Sequence, residues 1–353
     1  MTAIVDTPEE ADALDRPPLL VRRPLEAYLD VRGLGAGPVE AEPIGEGHSN
    51  ITFLIRRAGG EWVLRRPPRP PLPPSAHDVL REAHLLRAVE GREVRTPRVL
   101  ATCDDEAVIG APFYVMERVQ GDVVTSELPA RLDTPPERRR IADELIDALV
   151  EIHRVPWEHC GLEGYGKPTG YLERQLRRFA GLWEHNRTRE LPVLDRVTEW
   201  LHEHRPESPR ATIVHGDYRL GNVMLGPGDR AEVVAIFDWE LSTIGDPLAD
   251  LGYFTATYAE PGDEAGTLFQ LGSVTTLEGF PTRAELIARY EELSGRSMSA
   301  VHWYEALALW KSAVFLEGSY KRLLEGTTDD PFFKMLDRGV PEIAERAWRI
   351  AQA

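Results

Sequence analysis

The chain has 353 residues, 42% of them apolar, enough for one two-lobed domain or two modest ones and too long for a single small core. A formal net charge of −17 speaks against sequence-independent nucleic-acid binding, which depends on Lys and Arg clustered against phosphates. Only two cysteines, Cys103 and Cys160, are present, with no C-x-x-C, so neither a disulfide framework nor a zinc site is indicated and a reducing cytoplasm is the expected compartment.

Residues 1–18 carry Asp6, Glu9, Glu10, Asp12 and Asp15, the opposite of a signal peptide's basic start and apolar centre, and are expected to be a flexible lead-in. No apolar run approaches the ~18 residues of a membrane span, so no membrane partner is expected. Residues 20–33 read as a helix with Leu25, Tyr28 and Leu29 on one face. Residues 39–44, 52–56 and 62–66 are β-branched and apolar, separated by Gly45-Glu46-Gly47 and Ala58-Gly59-Gly60, which predicts antiparallel strands joined by tight turns. The prolines of 67–74 allow neither helix nor central strand, and a helix is expected from Ser75 to Val89. Strands at 99–102, 107–109 and 113–117 follow.

Beyond Asp122 the periodicity becomes helical, over 137–153, 171–185, 193–204, 283–293 and 302–324. Three strand-like runs, 211–214, 223–225 and 233–237, interrupt it. The order predicts an α+β, two-lobed molecule: a small β-rich N-lobe over 19–119 and a larger, mainly helical C-lobe over 120–353.

The interruptions carry the chemistry. His215-Gly216-Asp217 and Asn222 place a carboxylate and an amide five residues apart in a loop between strands. Phosphoryl transfer needs both: a carboxylate to accept or orient the attacking hydroxyl's proton, and a neutral oxygen donor to help ligate Mg²⁺. Asp217 suits the first role and Asn222 the second. Asp238, ending the apolar run 233–237, offers a further metal-binding carboxylate, although Asp, Asn and Gly also populate ordinary turns after strands.

His215-Gly216-Asp217 with Asn222, then Asp238-Trp239-Glu240, Gly245-Asp246-Pro247 and Asp250, resembles the aminoglycoside phosphotransferase family of protein-kinase-like small-molecule kinases. Val63-Leu64-Arg65-Arg66-Pro67-Pro68, Ser75-Ala76-His77-Asp78 and Arg81-Glu82 resemble the branch that includes kinase domains fused to acyl-CoA dehydrogenases. The resemblance spans roughly residues 39–324. It implies a kinase-like fold, ATP or GTP, Mg²⁺ and transfer to a hydroxyl of a small molecule, with Asp217 as base, Asn222 and Asp238 as metal ligands, and His215 bracing the loop.

Under that resemblance, the turn holding Gly45, Gly47, Ser49 and Asn50 would approach the nucleotide phosphates, though a plain hairpin turn would look the same. Kinase-like sites use a strand lysine paired with a helix glutamate; the matching position here is Arg65, with Glu82 as partner, and a surface ion pair is the alternative. Residues 116–119, with Glu117 and Val119, sit where a hinge would offer backbone groups to adenine.

Trp183, Trp303, Tyr304, Trp310, Phe315 and Tyr320 either fill the helical core or wall an acyl pocket. The acceptor alternatives are a hydroxyacyl-CoA and an aminoglycoside-like polycation, the latter calling on Glu240, Asp263 and Glu264. A pseudokinase-like module that binds nucleotide without chemistry is the reading from a different class. Oligomeric state is left open by these residues.

Overall fold

The structure, a computed structural model, describes residues 4–45, 50–70, 72, 77–263, 273–328 and 331–353. The chain forms two compact units, Met1–Arg92 with Thr96–Gln120, and Glu93–Arg95 with Gly121–Ala353.

The first unit runs β1 (Ile4–Val5), α1 (Pro8–Asp12), β2 (Leu20–Val21), α2 (Arg22–Val31), β3 (Ala36–Ile44), β4 (Ile51–Ala58), β5 (Gly60–Arg66), α3 (Val79–Val89), β6 (Val99–Cys103) and β7 (Phe113–Glu117). Five strands form an antiparallel sheet in the order β3-β4-β5-β7-β6. Its core joins Leu25 and Leu29 of α2 to Phe53, Ile55, Leu64, Phe113 and Val115 on one sheet face. Because strand side chains alternate, Arg65 turns to the other face, where α3 lies against β6 and β7.

The first residues hold β1, paired parallel with β2, and α1, started by Pro8 and capped by the Thr7 side chain, while Asp6 binds Arg22 at 2.7 Å. One expectation is corrected in this unit. Residues 107–109 form a turn, not a strand. The Asp105 carboxylate accepts the Ala107 N–H at 2.9 Å and Gly110 takes φ +81°, reversing the chain, although Ile109 is still driven into the core. Helix α3 begins at Val79 behind its cap Asp78; Ser75 and Ala76 lie outside the described residues.

The second unit runs β8 (Asp122–Val123), α4 (Pro135–Arg154), α5 (Tyr171–Asn186), α6 (Pro192–Glu203), β9 (Thr212–Val214), β10 (Val223–Leu225), β11 (Val233–Ile236), β12 (Thr243–Gly245), α7 (Leu248–Thr257), α8 (Arg283–Ser294), α9 (Val301–Leu324), α10 (Pro331–Lys334) and α11 (Leu336–Ala351). Two small antiparallel sheets, β11-β10-β8 and β12-β9, are embedded among the helices, and α9 packs along α5, α7 and α11. Helices α7 and α11 are absent from the sequence expectation. Nearly every residue of α7 is buried, so it has no polar face to set a period, and α11 contains Gly339 and Pro341. Among the described residues no helix is long and apolar enough to cross a membrane.

Candidate active site

In the first unit, Arg65 Nε donates to Glu82 Oε2 at 2.9 Å, and Glu82 is only 2% exposed. The contact is a buried ion pair, not a surface one. Arg66 faces the opposite way and donates to the carbonyls of Leu19, Pro67 and Ile109; burial lowers its pKa to about 10. Gly45 takes φ +79° at the end of β3, and Asn50 is buried just before β4, whereas Gly47 and Ser49 lie outside the described residues. Glu117 ends β7 with its N–H on the Arg98 carbonyl and its carboxylate on the Arg98 N–H, both at 2.9 Å. Val119 follows the strand, half-buried, and the chain leaves this unit after Gln120.

In the second unit, Asp217 stands on a loop after β9 that is tied from behind. The buried Asp250 carboxylate of α7 accepts the backbone N–H of His215 at 2.7 Å and of Gly216 at 2.8 Å. His153 of α4 lies 3.2 Å from Asp250 through Nε2, and its Nδ1 is 2.7 Å from the Tyr290 hydroxyl of α8. Burial works to raise the Asp250 pKa, but the His153 hydrogen bond and nearby charge carry it below the usual value. Burial lowers that of His153, against the pull of Asp250. A neutral imidazole satisfies both partners, Nε2–H donating to Asp250 and Nδ1 accepting from Tyr290.

Tyr218 anchors the loop to α4 by donating to the Leu145 carbonyl at 2.6 Å. His215 Nδ1 accepts the Asp217 N–H at 3.2 Å, and Nε2 lies 2.8 Å from the Phe237 carbonyl, so the Nε2–H tautomer fills both contacts. With both nitrogens spent on backbone, its geometry is that of a brace. Gly216 sits at φ +90°, and a Cβ there would meet Leu241 at 2.9 Å, so both conformation and space call for glycine.

The Asp217 carboxylate is oriented by three groups. Asn222 Nδ2 donates to Oδ2 and to the Asp217 carbonyl, each at 2.8 Å; Arg219 Nε is 3.6 Å from Oδ1; and the Tyr253 hydroxyl is hydrogen-bonded to the carboxylate. Burial, then the neighbouring Asp217 charge, pushes the Tyr253 phenol far above its usual pKa, so it remains a donor. Arg219, Tyr253 and His153 have no role in the sequence reading. Tyr253 and Asp250 are three apart and so share a helix face, a signal available only once α7 is recognised.

Asp238, two residues beyond β11, lies in the left-handed region at φ +65°, and the Phe237 N–H donates to the Asn222 carbonyl at 2.8 Å, which brings the two expected metal ligands to neighbouring backbone. Asn222 spends its amide nitrogen on Asp217, and its oxygen together with the Asp238 carboxylate makes a hard, all-oxygen donor set of the kind Mg²⁺ takes.

Trp183, Trp303, Tyr304 and Trp310 are buried; Trp303 donates to the Leu201 carbonyl, Trp310 to Thr198 and Tyr304 to Asp246. These four are core. Tyr320 bonds Asp337, and only Phe315 of the six is strongly exposed, at 61%. Asp263 is held by Arg283 at 2.6 Å, and Glu264 lies outside the described residues.

Residues 40–290 match the phosphotransferase enzyme family. The mouse protein acyl-CoA dehydrogenase family member 10 is 35% identical over 333 residues, which are 93% of this chain and 31% of that protein. The chain therefore spans about a third of that relative's length. A Ralstonia eutropha protein classed with the aminoglycoside phosphotransferases has a solved structure that is 33% identical, with a TM-score of 0.79 and coverage of 93% and 97% of the two chains. The aminoglycoside phosphotransferase APH(4)-Ia, solved with AMP-PNP and hygromycin B, shares the fold at a TM-score of 0.59 and 16% identity, over 93% and 98% of the two chains.

Proposed function

The chain belongs to the phosphotransferase enzyme family, and from that premise we propose that it is a kinase moving the γ-phosphoryl group of ATP to a hydroxyl of a hydroxyacyl-CoA. The observation that carries the chemistry is the Asp217 carboxylate, fixed by Asn222, Arg219 and Tyr253 on a loop held from behind by Asp250 and Tyr218. Asp217 accepts the acceptor hydroxyl's proton as the oxygen attacks phosphorus. Tyr253 and Asn222 keep the carboxylate aimed, so that little reorganisation is needed when the proton moves. Arg219 supplies a positive charge beside the reacting oxygens.

Mg²⁺ would be held by Asn222 and Asp238 and would neutralise phosphate charge during transfer. Arg65, oriented by Glu82, is the cation for the nucleotide phosphates, and its fork can serve both partners. Gly45, Gly47, Ser49 and Asn50 belong to the phosphate-approaching turn, and Glu117 and Val119 to the adenine-facing segment.

Two observations favour an acyl-type acceptor over a polycation. Arg283 already engages Asp263, removing one of three carboxylates that a polycation would call upon, and Leu241 beside Gly216 is 58% exposed, an apolar surface next to the base. The relative's name points the same way, since a dehydrogenase of acyl-CoA acts on the same carrier.

The test is ADP release from ATP and Mg²⁺ across hydroxyacyl-CoAs and aminoglycosides. Asp217→Asn is expected to cut turnover at least ~10²-fold while nucleotide binding persists. Turnover unchanged in that variant removes Asp217 from the role. Nucleotide binding without turnover on any acceptor would favour the binding module instead.

A further inference from the structure

Helix α9 carries a lysine that packing alone does not explain. Lys311 is half-buried, its Nζ lies 4.9 Å over the Phe179 ring of α5, and among the described residues no carboxylate or carbonyl is bonded to it. Two charges act on it across space: Arg178 of α5 repels it and Asp250 of α7 attracts it. Asp250 is already spent, since its carboxylate accepts the N–H groups of His215 and Gly216. Burial, then Arg178, lowers the Lys311 pKa to about 8, which leaves the amine mostly protonated at neutral pH. Arg178 is exposed, its guanidinium lies 6.0 Å from the same Phe179 ring, and it too has no carboxylate bonded to it among the described residues. In a chain with 58 acidic residues against 41 basic ones, two adjoining cations without a carboxylate mark a place kept for an anion from outside.

The neighbourhood is open and partly apolar. Phe315 follows Lys311 by four residues on α9, so the two share a helix side, and Phe315 is exposed. Phe179 is half-buried between Trp310 and the two cations. We propose that Lys311, with Arg178 beside it, binds an oxyanion of the acceptor, a phosphate of a coenzyme A carrier or the carboxylate of a free hydroxy acid, and thereby selects anionic acceptors over polycations. An ammonium is a compact donor for such oxygens, and the exposed phenylalanine offers surface to the uncharged part of the molecule. Repulsion of a polycation by the same two charges supplies the other half of the selection. The carboxylate that acts on Lys311 is the one that holds the loop just before Asp217, which sets the cations within electrostatic reach of the reacting part of the unit. That the bound molecule is the acceptor rests on the proposed kinase reading, whereas binding of the oxyanion does not.

Calorimetry on the full chain, with AMP-PNP present to fill the nucleotide site, uses coenzyme A, pantetheine and 3-hydroxybutyrate as probes. Pantetheine lacks the phosphates of coenzyme A. Lys311→Met is expected to weaken the probe that carries the recognised oxyanion by at least ~10-fold and to leave pantetheine unaffected, while Lys311→Arg keeps part of the binding. Arg178→Gln, on an exposed position that folding tolerates, is expected to weaken the same probe by roughly 2-fold or more. Loss on coenzyme A assigns the oxyanion to the carrier's phosphates, and loss on 3-hydroxybutyrate assigns it to a carboxylate. A parent protein that binds neither probe, or binding unchanged in Lys311→Met, overturns the proposal and makes Lys311 a structural residue. With a turned-over acceptor, Lys311→Met is expected to raise KM at near-normal kcat. ADP release by the parent with an unchanged KM in the variant keeps the kinase reading and removes this site. Oxyanion binding lost in the variant, with no ADP release by the parent on any acceptor, keeps the site and removes the kinase reading.

Discussion

Asp238 is held at φ +65°, a conformation that disfavours residues with a Cβ, though Asp and Asn tolerate it better than most. The strain is retained next to Phe237, whose N–H donates to the Asn222 carbonyl. Asp238→Gly relieves it, and a stability gain of up to about 1 kcal/mol is expected in urea unfolding. The same substitution removes a proposed metal ligand, so calorimetry with and without Mg²⁺ should show nucleotide binding that no longer responds to the metal. A variant that is more stable yet keeps its metal response would take Asp238 out of that role. The residue-scale reading was most legible here. Asp217, Asn222 and Asp238 announce themselves because carboxylate and amide stand at fixed spacing between strand-like runs. Arg219 and Tyr253 do not, since a lone cation in a loop and a tyrosine in an apolar run fit many ordinary roles.

Among the elements, α7 is the one on which the loop depends and the one hardest to read. Its burial on every side erases the helical period, whereas α4, α5 and α6 declare themselves by their polar faces. Strands β8 and β12, two and three residues long, are too short to leave a pattern. Contact with α9 explains Gly252. A Cβ there would lie 2.5 Å from the Tyr304 Cβ and 2.6 Å from its backbone carbon, and backbone cannot swing away. Alanine's helical preference contributes about 1 kcal/mol in favour, while overpacking costs about 1–3 kcal/mol. With backbone as the obstacle the clash wins. Gly252→Ala is expected to destabilise by about 1–2 kcal/mol in denaturant unfolding. The push falls on Tyr304, whose hydroxyl donates to Asp246 at 2.8 Å. A neutral or stabilising result would mean that α7 and α9 can part more readily than their packing suggests.

For the whole molecule, acid stability sets two effects against each other. Protonating an excess of carboxylates relieves the repulsion behind a net charge of −17, which favours the folded state as pH falls. The buried His153 opposes this. Its folded pKa is below 6.5, so below that pH the unfolded chain takes up a proton the folded state refuses, and stability is lost on acidification. Asp250 adds a second loss at lower pH: its folded pKa is below 3.8, so its contribution is present above that value and disappears as pH falls through the folded pKa. Salt separates the terms, since it screens surface repulsion and leaves the buried histidine nearly untouched. In high salt, stability is expected to decline from pH 6.5 downward, and His153→Gln should flatten that decline below pH 6.5. An equally steep decline in the variant would place the sensitive group elsewhere. At this scale the sequence predicted a β-rich part before a helical one, because the change in periodicity near Asp122 is abrupt. It did not reveal β1 and α1 among the first residues, where Thr7 and Asp6 act through single contacts.

The tethers of the Asp217 loop have one further consequence. Asp250 of α7 accepts its backbone N–H groups, His153 of α4 and Tyr290 of α8 stand behind Asp250, and Tyr218 ties the loop to the Leu145 carbonyl of α4. The position of the loop is thereby set from its buried side. Under the proposed function, surface-facing segments can be rewritten over evolutionary time, or by an engineer seeking a new acceptor, without retuning the residues assigned to the transfer.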